Sequence, residues 1–332
     1  MSRHILKGNI NTVHRGGFSP LLDPVLRINS NDVVDVETYT CYTAIFDHVP
    51  ESLKTKDITE ICKKLPKEKE TGNGPHILTG PIYINDAEPG DLLEIRILNA
   101  YPSQAMGFNK IFKGKGVLTE EFNYNKLMFI PIDLKNNNVE FPINSGIKIP
   151  LRPFFGILGV ATNEINLSSY PPGSHGGNID NRELTKGSRI FIPVQVHGGM
   201  LSVGDGHTLQ GDGEVNQTAL ETSLNGTLQI ILHKKALNLT TPIAESRTHW
   251  ITMGFQNTLD EAFKEALQNM IKLLTTFYSI NKEEAYRLCS LAANFRITQA
   301  VNMPNKGVHG MIPKNIFPSE FSCKENIQIW KR

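Results

Sequence analysis

No window of this 332-residue sequence approaches the roughly 20 consecutive apolar residues that a membrane-spanning helix needs. Its opening, MSRHILKGNINTVHRGG, also lacks the apolar stretch of a secretory signal. The reading is a cytoplasmic protein with no membrane partner. Charge of one sign is missing too: 34 Lys and Arg face 33 Asp and Glu. No net field draws nucleic acid or an anionic surface, and a small neutral partner fits better. Cysteine is sparse. Cys41, Cys62, Cys289 and Cys323 show no CxxC spacing, which argues against a zinc knuckle and a disulfide scaffold and leaves reduced thiols. Cys289 shares a helical face with Ala285, Leu288 and Ala292, so packing accounts for it better than a nucleophile's role does. There is no internal repeat and no low-complexity tail.

What is present is strand-forming sequence. DVVDVETYTCY, GPIYI and DLLEIRIL are short, rich in Val, Ile and Tyr, and separated by turn chemistry such as AEPGD at 87–91. NYNKLMFIPIDL and GIKIPLRPFFGILGVA supply further strands. In SRIFIPVQVHGG, Ile190, Ile192, Val194 and Val196 alternate with polar or bulky neighbours, and Pro193 suggests a sheet edge or a bulge. EVNQTALETSL and TLQIILHK flank Asn225-Gly226, a dipeptide suited to a type I′ hairpin, which would carry Glu214 and Glu221. Residues 52–74 are lysine-rich and polar, predicting a solvated surface excursion with one short helix.

Helices come late. Thr258 with Glu261, and Asn281 with Glu284, have capping-box spacing. After the first, Leu259, Phe263, Ala266, Leu267, Met270, Leu274 and Phe277 mark one apolar stripe. The predicted fold is mainly β (α+β): stacked antiparallel sheets, sandwich- or barrel-like, with a helical layer from the C-terminal part. Residues 1–332 form one unit, with an N-terminal β part over 1–150 and a part over 151–332 carrying the site and two helices.

Between His175 and Glu221 lie three histidines, six acidic residues and many glycines. Asp205 and His207 are two apart, as are Asp212 and Glu214; in extended backbone each pair points to one side and converges on one ion. Imidazole with carboxylate suits zinc or a similar divalent metal, whereas calcium prefers six to eight oxygens. Upstream, SSYPPGSHGGNID offers His175, Asn178 and Asp180. Against this, His197 at a strand end reads as structural, and Asp212 suits an ordinary turn as well as a site.

PGSHGGNID, IFIPVQVHGG and LSVGDGHTLQGDGEVNQTALE resemble the hallmark segments of the acetamidase/formamidase family. GPIYINDAEPGDLLEIRIL, PFFGILGVA and LCSLAANFRITQAVN resemble further blocks, so the similarity runs over about 79–313, while the N-terminal 70 residues match loosely. The resemblance implies hydrolysis of the C–N bond of small amides such as formamide or acetamide, in a metal-containing homo-oligomer, dimer or larger. Some relatives act on lactams. The family commonly has an acidic residue where this chain has Asn294, so activity or specificity differs if that residue reaches the site.

On that footing a divalent metal, zinc first and calcium second, is expected among His175, Asp180, Asp205 and His207. Glu214, with Glu221 and Asp212 behind it, is the expected acid/base. Asn178, Gln210 and the Gly176 and Gly177 backbone are the expected substrate contacts, the glycine N–H groups as oxyanion donors. The alternatives are a lactamase-type hydrolase of the same family and a calcium-dependent β-sandwich binding module without catalysis.

Overall fold

The computed structural model describes residues 1–318 apart from Ser279; Cys323 lies outside the described residues. Two nine-stranded sheets face each other. The first runs in the order Arg3–Leu6, Asp32–Glu37, Leu224–His233, Leu92–Pro102, Arg189–Pro193, Ile243–Glu245, His249–Gln256, Lys306–Pro313, Asn294–Gln299. The second is centred on Leu201–Leu209. Phe154–Gly159 lies along one edge of that strand, and the other edge is divided between Ile77–Ile84 and Leu220–Glu221. Pairing is antiparallel apart from Arg3–Leu6 with Asp32–Glu37 and Leu26–Ile28 with Ile77–Ile84. The mainly β fold with stacked sheets is thus the one expected.

Alternation along the strands builds two cores at once. Leu93, Ile190 and Ile192 point into the layer between the sheets, with Phe155, Leu158, Leu201 and Val203 from the second sheet. Their neighbours Leu92 and Phe191 point to the other face, under the helices. Arg189–Pro193 is therefore an interior strand rather than an edge. Pro193 is tolerated because pairing with Ile243–Glu245 stops at Phe191.

The helical layer is α2 (Leu259–Phe277) and α3 (Lys282–Ala292), preceded in the chain by α1 (Lys56–Lys64). Thr258 caps α2 through the Glu261 N–H, and Asn281 with Glu284 makes a full capping box on α3. The buried stripe of α2 is Ala262, Ala266, Met270, Leu273, Leu274 and Phe277. Phe263 falls off it, exposed and edge-on to Phe295. Cys289 is buried in the same core, and burial pushes its thiol up to about 11. Among the described residues, no helix is long and apolar enough to cross a membrane.

Asn225-Gly226 is not a hairpin turn. Leu224–His233 belongs to the first sheet, where Asn225 faces Glu37 and Tyr101 and Gly226 faces Val36 and Ala100, while Leu220–Glu221 stays in the second. The glycine is required by contact: a Cβ on Gly226 would lie 2.5 Å from the Phe155 ring. Packing thus decides a position that local turn preference misassigns.

Candidate active site

The split edge of Leu201–Leu209 prepares the site. Asp205 has a positive φ of 54° where the partner strand changes. Across the sheet, Phe155 pairs Gly206 and Ile157 pairs Gly204, leaving Gly156 beneath Asp205. A Cβ on Gly156 would stand 2.5 Å from Asp180 Oδ1 and 2.7 Å from Asp205 Oδ2. That missing side chain leaves room between two carboxylates. Asp180 and Glu214 also have left-handed backbone, φ 50° and 46°, a conformation uncommon for non-glycine residues.

Five of the expected residues converge. His207 Nε2 lies 3.4 Å from Asp205 Oδ2 and 3.3 Å from Glu221 Oε1, and its Nδ1 lies 3.6 Å from Asp180 Oδ1. Asp180, Asp205 and His207 form one group able to hold a metal ion, and His207, Glu214 and Glu221 a second. All five residues are buried. Glu221 is fixed by the Ala219 N–H at 3.1 Å and the Thr40 hydroxyl at 3.3 Å. Phe154 meets His207 edge-on at 5.2 Å.

The other expected residues are placed differently. Asp212 does not join Glu214: it turns toward Arg296, 3.7 Å away, at the surface. His175 is in neither group; it packs edge-on against Phe18, and burial lowers its imidazole to about 4. Gly176 gives its N–H to the Gly173 carbonyl at 3.0 Å, and Gly177 pairs with Leu158 in the sheet. Neither lines the cavity. Asn178 does line it, held by donation to the Tyr170 carbonyl at 3.1 Å. Gln210 lies behind the site: its amide donates to the Asp180 carbonyl at 2.7 Å, and its oxygen accepts from His207 Nδ1–H at 2.9 Å. This hydrogen bond puts a proton on Nδ1 and turns Nε2 toward the carboxylates. His197 is exposed, and so is Asn294, which starts an edge strand away from the cavity.

Sequence reasoning missed several participants. Asn302 donates to Asp180 Oδ2 and to the Asn178 carbonyl, and its own N–H is held by Gln299 Oε1 at 2.8 Å. His76 Nε2 lies 3.9 Å from Asp205, with its Nδ1 2.7 Å from Ser169 Oγ. Cys41 lines the cavity. Burial, with the charges of Glu221 and Asp205, pushes its thiol well above its ordinary value, so it is not poised as a thiolate nucleophile. The only local signal for Asn302 was its place at the end of LCSLAANFRITQAVN.

The electrostatics are those of crowded carboxylates in a buried site. Burial raises Asp180 to about 7, with Asp205 adding and His207 opposing. Burial and the Asp180 charge raise Glu214 well above the usual carboxylate range. Against the penalty of burial, His207 and His76 hold Asp205 at about 2. Against the same penalty, Glu221 and Asp205 raise His207 well above its ordinary value.

The acetamidase/formamidase family model matches this chain over residues 11–170 and 163–319. A formamidase of Methylophilus methylotrophus is 27% identical over 327 residues, covering 76% of this chain and 79% of that one. A predicted acetamidase/formamidase of Thermoanaerobacter tengcongensis superposes with a TM-score of 0.80 at 27% identity, covering 95% of this chain and 97% of that one. An acetamidase of Bacillus halodurans gives 0.80 at 28%, covering 94% and 98%. The chain belongs to the acetamidase/formamidase family of amide hydrolases.

Proposed function

We propose that this protein hydrolyses small linear amides of the formamide and acetamide type to carboxylate and ammonia, and that the reaction depends on a divalent metal, zinc before calcium. The observation that carries the metal reading is a set of buried polar atoms short of hydrogen bonds: Asp180 Oδ1 and Glu214 Oε2 have no partner, and His207 Nε2 has only the Asp205 and Glu221 carboxylates, 3.4 and 3.3 Å away. Such groups are costly unless a cation or protons compensate them. The room over Gly156 and the mixed imidazole and carboxylate donors fit the same ion. Asp180, Asp205 and His207 would hold it, with Glu221 beside Asp205 at His207 Nε2. A divalent ion bound there supplies Lewis acidity and a more acidic water.

The chain's own groups do the rest. Amide resonance makes the carbonyl a poor electrophile and the amine a poor leaving group, so a proton must be taken from water and another given to nitrogen. Glu214 has a raised proton affinity and faces the cavity, which suits it to both transfers. Asp205, held ionised, provides fixed negative charge. Gln210 and Asn302 keep His207 and Asp180 in place. Measuring bound metal, together with ammonia release from formamide and acetamide before and after chelation, tests the reading. Full activity after complete metal removal would refute the metal's role, and no ammonia at all would refute the reaction.

A further inference from the structure

The cavity beside the carboxylates has a volume of about 110 Å³. On this measure one water needs only about 10–15 Å³, so the space exceeds what formamide occupies. Its polar lining includes the carboxylates of Asp180, Asp205, Glu214 and Glu221 with Asn178, Asn302 and Lys115; its apolar lining includes Ala44, Ile45, Pro75, Phe108 and Phe112. A carboxamide group needs the polar part alone, and a hydrogen on its carbonyl carbon would leave the apolar wall facing nothing.

That wall has its own support. Ile45 and Phe108 are buried in a small core with Tyr42, Val49, Leu53 and Ile58, the last on α1. The lysine-rich excursion over 52–74 is thus more than a solvated surface: its apolar side braces the cavity from behind. A braced wall does not collapse onto a smaller substrate.

Resting on the amide-hydrolase reading above, we infer that residues 41–58 with Phe108 and Phe112 form an acyl-binding wall. The preferred substrate is a primary amide bearing an apolar acyl chain of about three or four carbons. An anionic acyl group is disfavoured by Asp205, held ionised in the lining, with a partial offset from Lys115. Each methylene transferred to the wall raises kcat/KM by about fourfold.

Ammonia release by the metal-loaded protein is measured with formamide, acetamide, propionamide and butyramide. The expected series rises stepwise to at least propionamide. Ala44 is exposed at the rim, so Ala44→Leu narrows the cavity without entering the small core. It lowers the butyramide-to-formamide ratio of kcat/KM by about tenfold or more. Ile45→Ala, deepening the wall, shifts the optimum to a longer chain and serves if the first variant fails to fold. A level or falling series in an active wild-type protein, or an unchanged ratio in a folded Ala44→Leu variant, overturns the inference and leaves amide hydrolysis standing. Absence of ammonia from all four amides overturns both.

Discussion

Replacing Asp180 by asparagine removes one of the site's four buried carboxylates while keeping an oxygen for the Asn302 amide to donate to. In the chelator-treated protein this change is expected to stabilise the fold. The folded-state Asp180 is raised to about 7 from an unfolded value near 3.8. Between those values the unfolded chain releases the proton and the native chain keeps it, so native stability falls as pH rises. Below about pH 4 the two proteins differ little through this effect. Each pH unit above that favours the variant by about 1.4 kcal/mol, up to about 4 kcal/mol near pH 7, and by less to the extent that His207 and Glu214 share the proton. Urea unfolding of both proteins at pH 4.5, 5.5, 6.5 and 7.5 reads the difference directly. Buried neutral histidines such as His14 and His175 also titrate, but they do so in both proteins and cancel. Saturating zinc should reverse the order, because the ion stabilises only the form that binds it. A pH-independent difference, or a variant less stable at every pH, refutes the reasoning.

Glu214→Gln is expected to lower kcat by about 10²–10⁴ with bound metal unchanged, checked by steady-state ammonia release beside metal analysis; unimpaired turnover would remove Glu214 from the proton transfers. Gln210→Ala frees His207 Nδ1 and should weaken metal binding by about 10–100-fold, read by competition with a chelator of known affinity. Gly226→Ala drives a methyl group into the fully buried Phe155 ring and should destabilise the fold by about 1–3 kcal/mol in urea titration, although Asn225-Gly226 lies far from any turn.

The sequence carried what depends on neighbours in the chain. The Thr258 and Asn281 caps, most of the α2 stripe and the strands around Ile190 were readable because capping and periodicity act over a few residues. Asp205 and His207 were paired for their two-residue spacing. The structure makes them converge through a left-handed Asp205 at a change of strand partner, which no spacing rule describes. Asp212 and Glu214 share the same spacing and separate, because Arg296 takes Asp212 to the surface. Gly176 and Gly177 read as open loop backbone, but sheet pairing with Phe154–Gly159 uses them. His76, Cys41 and Asn302 were invisible as site residues because their partners lie more than a hundred positions away. Ile45 was hidden for another reason: the small core it joins is closed by Leu53 and Ile58, and the polar surface of their segment conceals it.

The groups around His207 come from residues 40 to 302, delivered by both halves of the chain and tied to Asp180 by a residue beyond α3. The proposed ligands lie within residues 180–221, but a half-folded chain lacks the Thr40 and Asn302 contacts that hold Glu221 and Asp180 in place. Contacts of such sequence separation are made late and slowly, commonly on a millisecond-to-second scale for strand-rich proteins. Capture of an ion by this protein would then mark the completion of its folding, and metal uptake during refolding would lag behind the burial of its aromatic side chains.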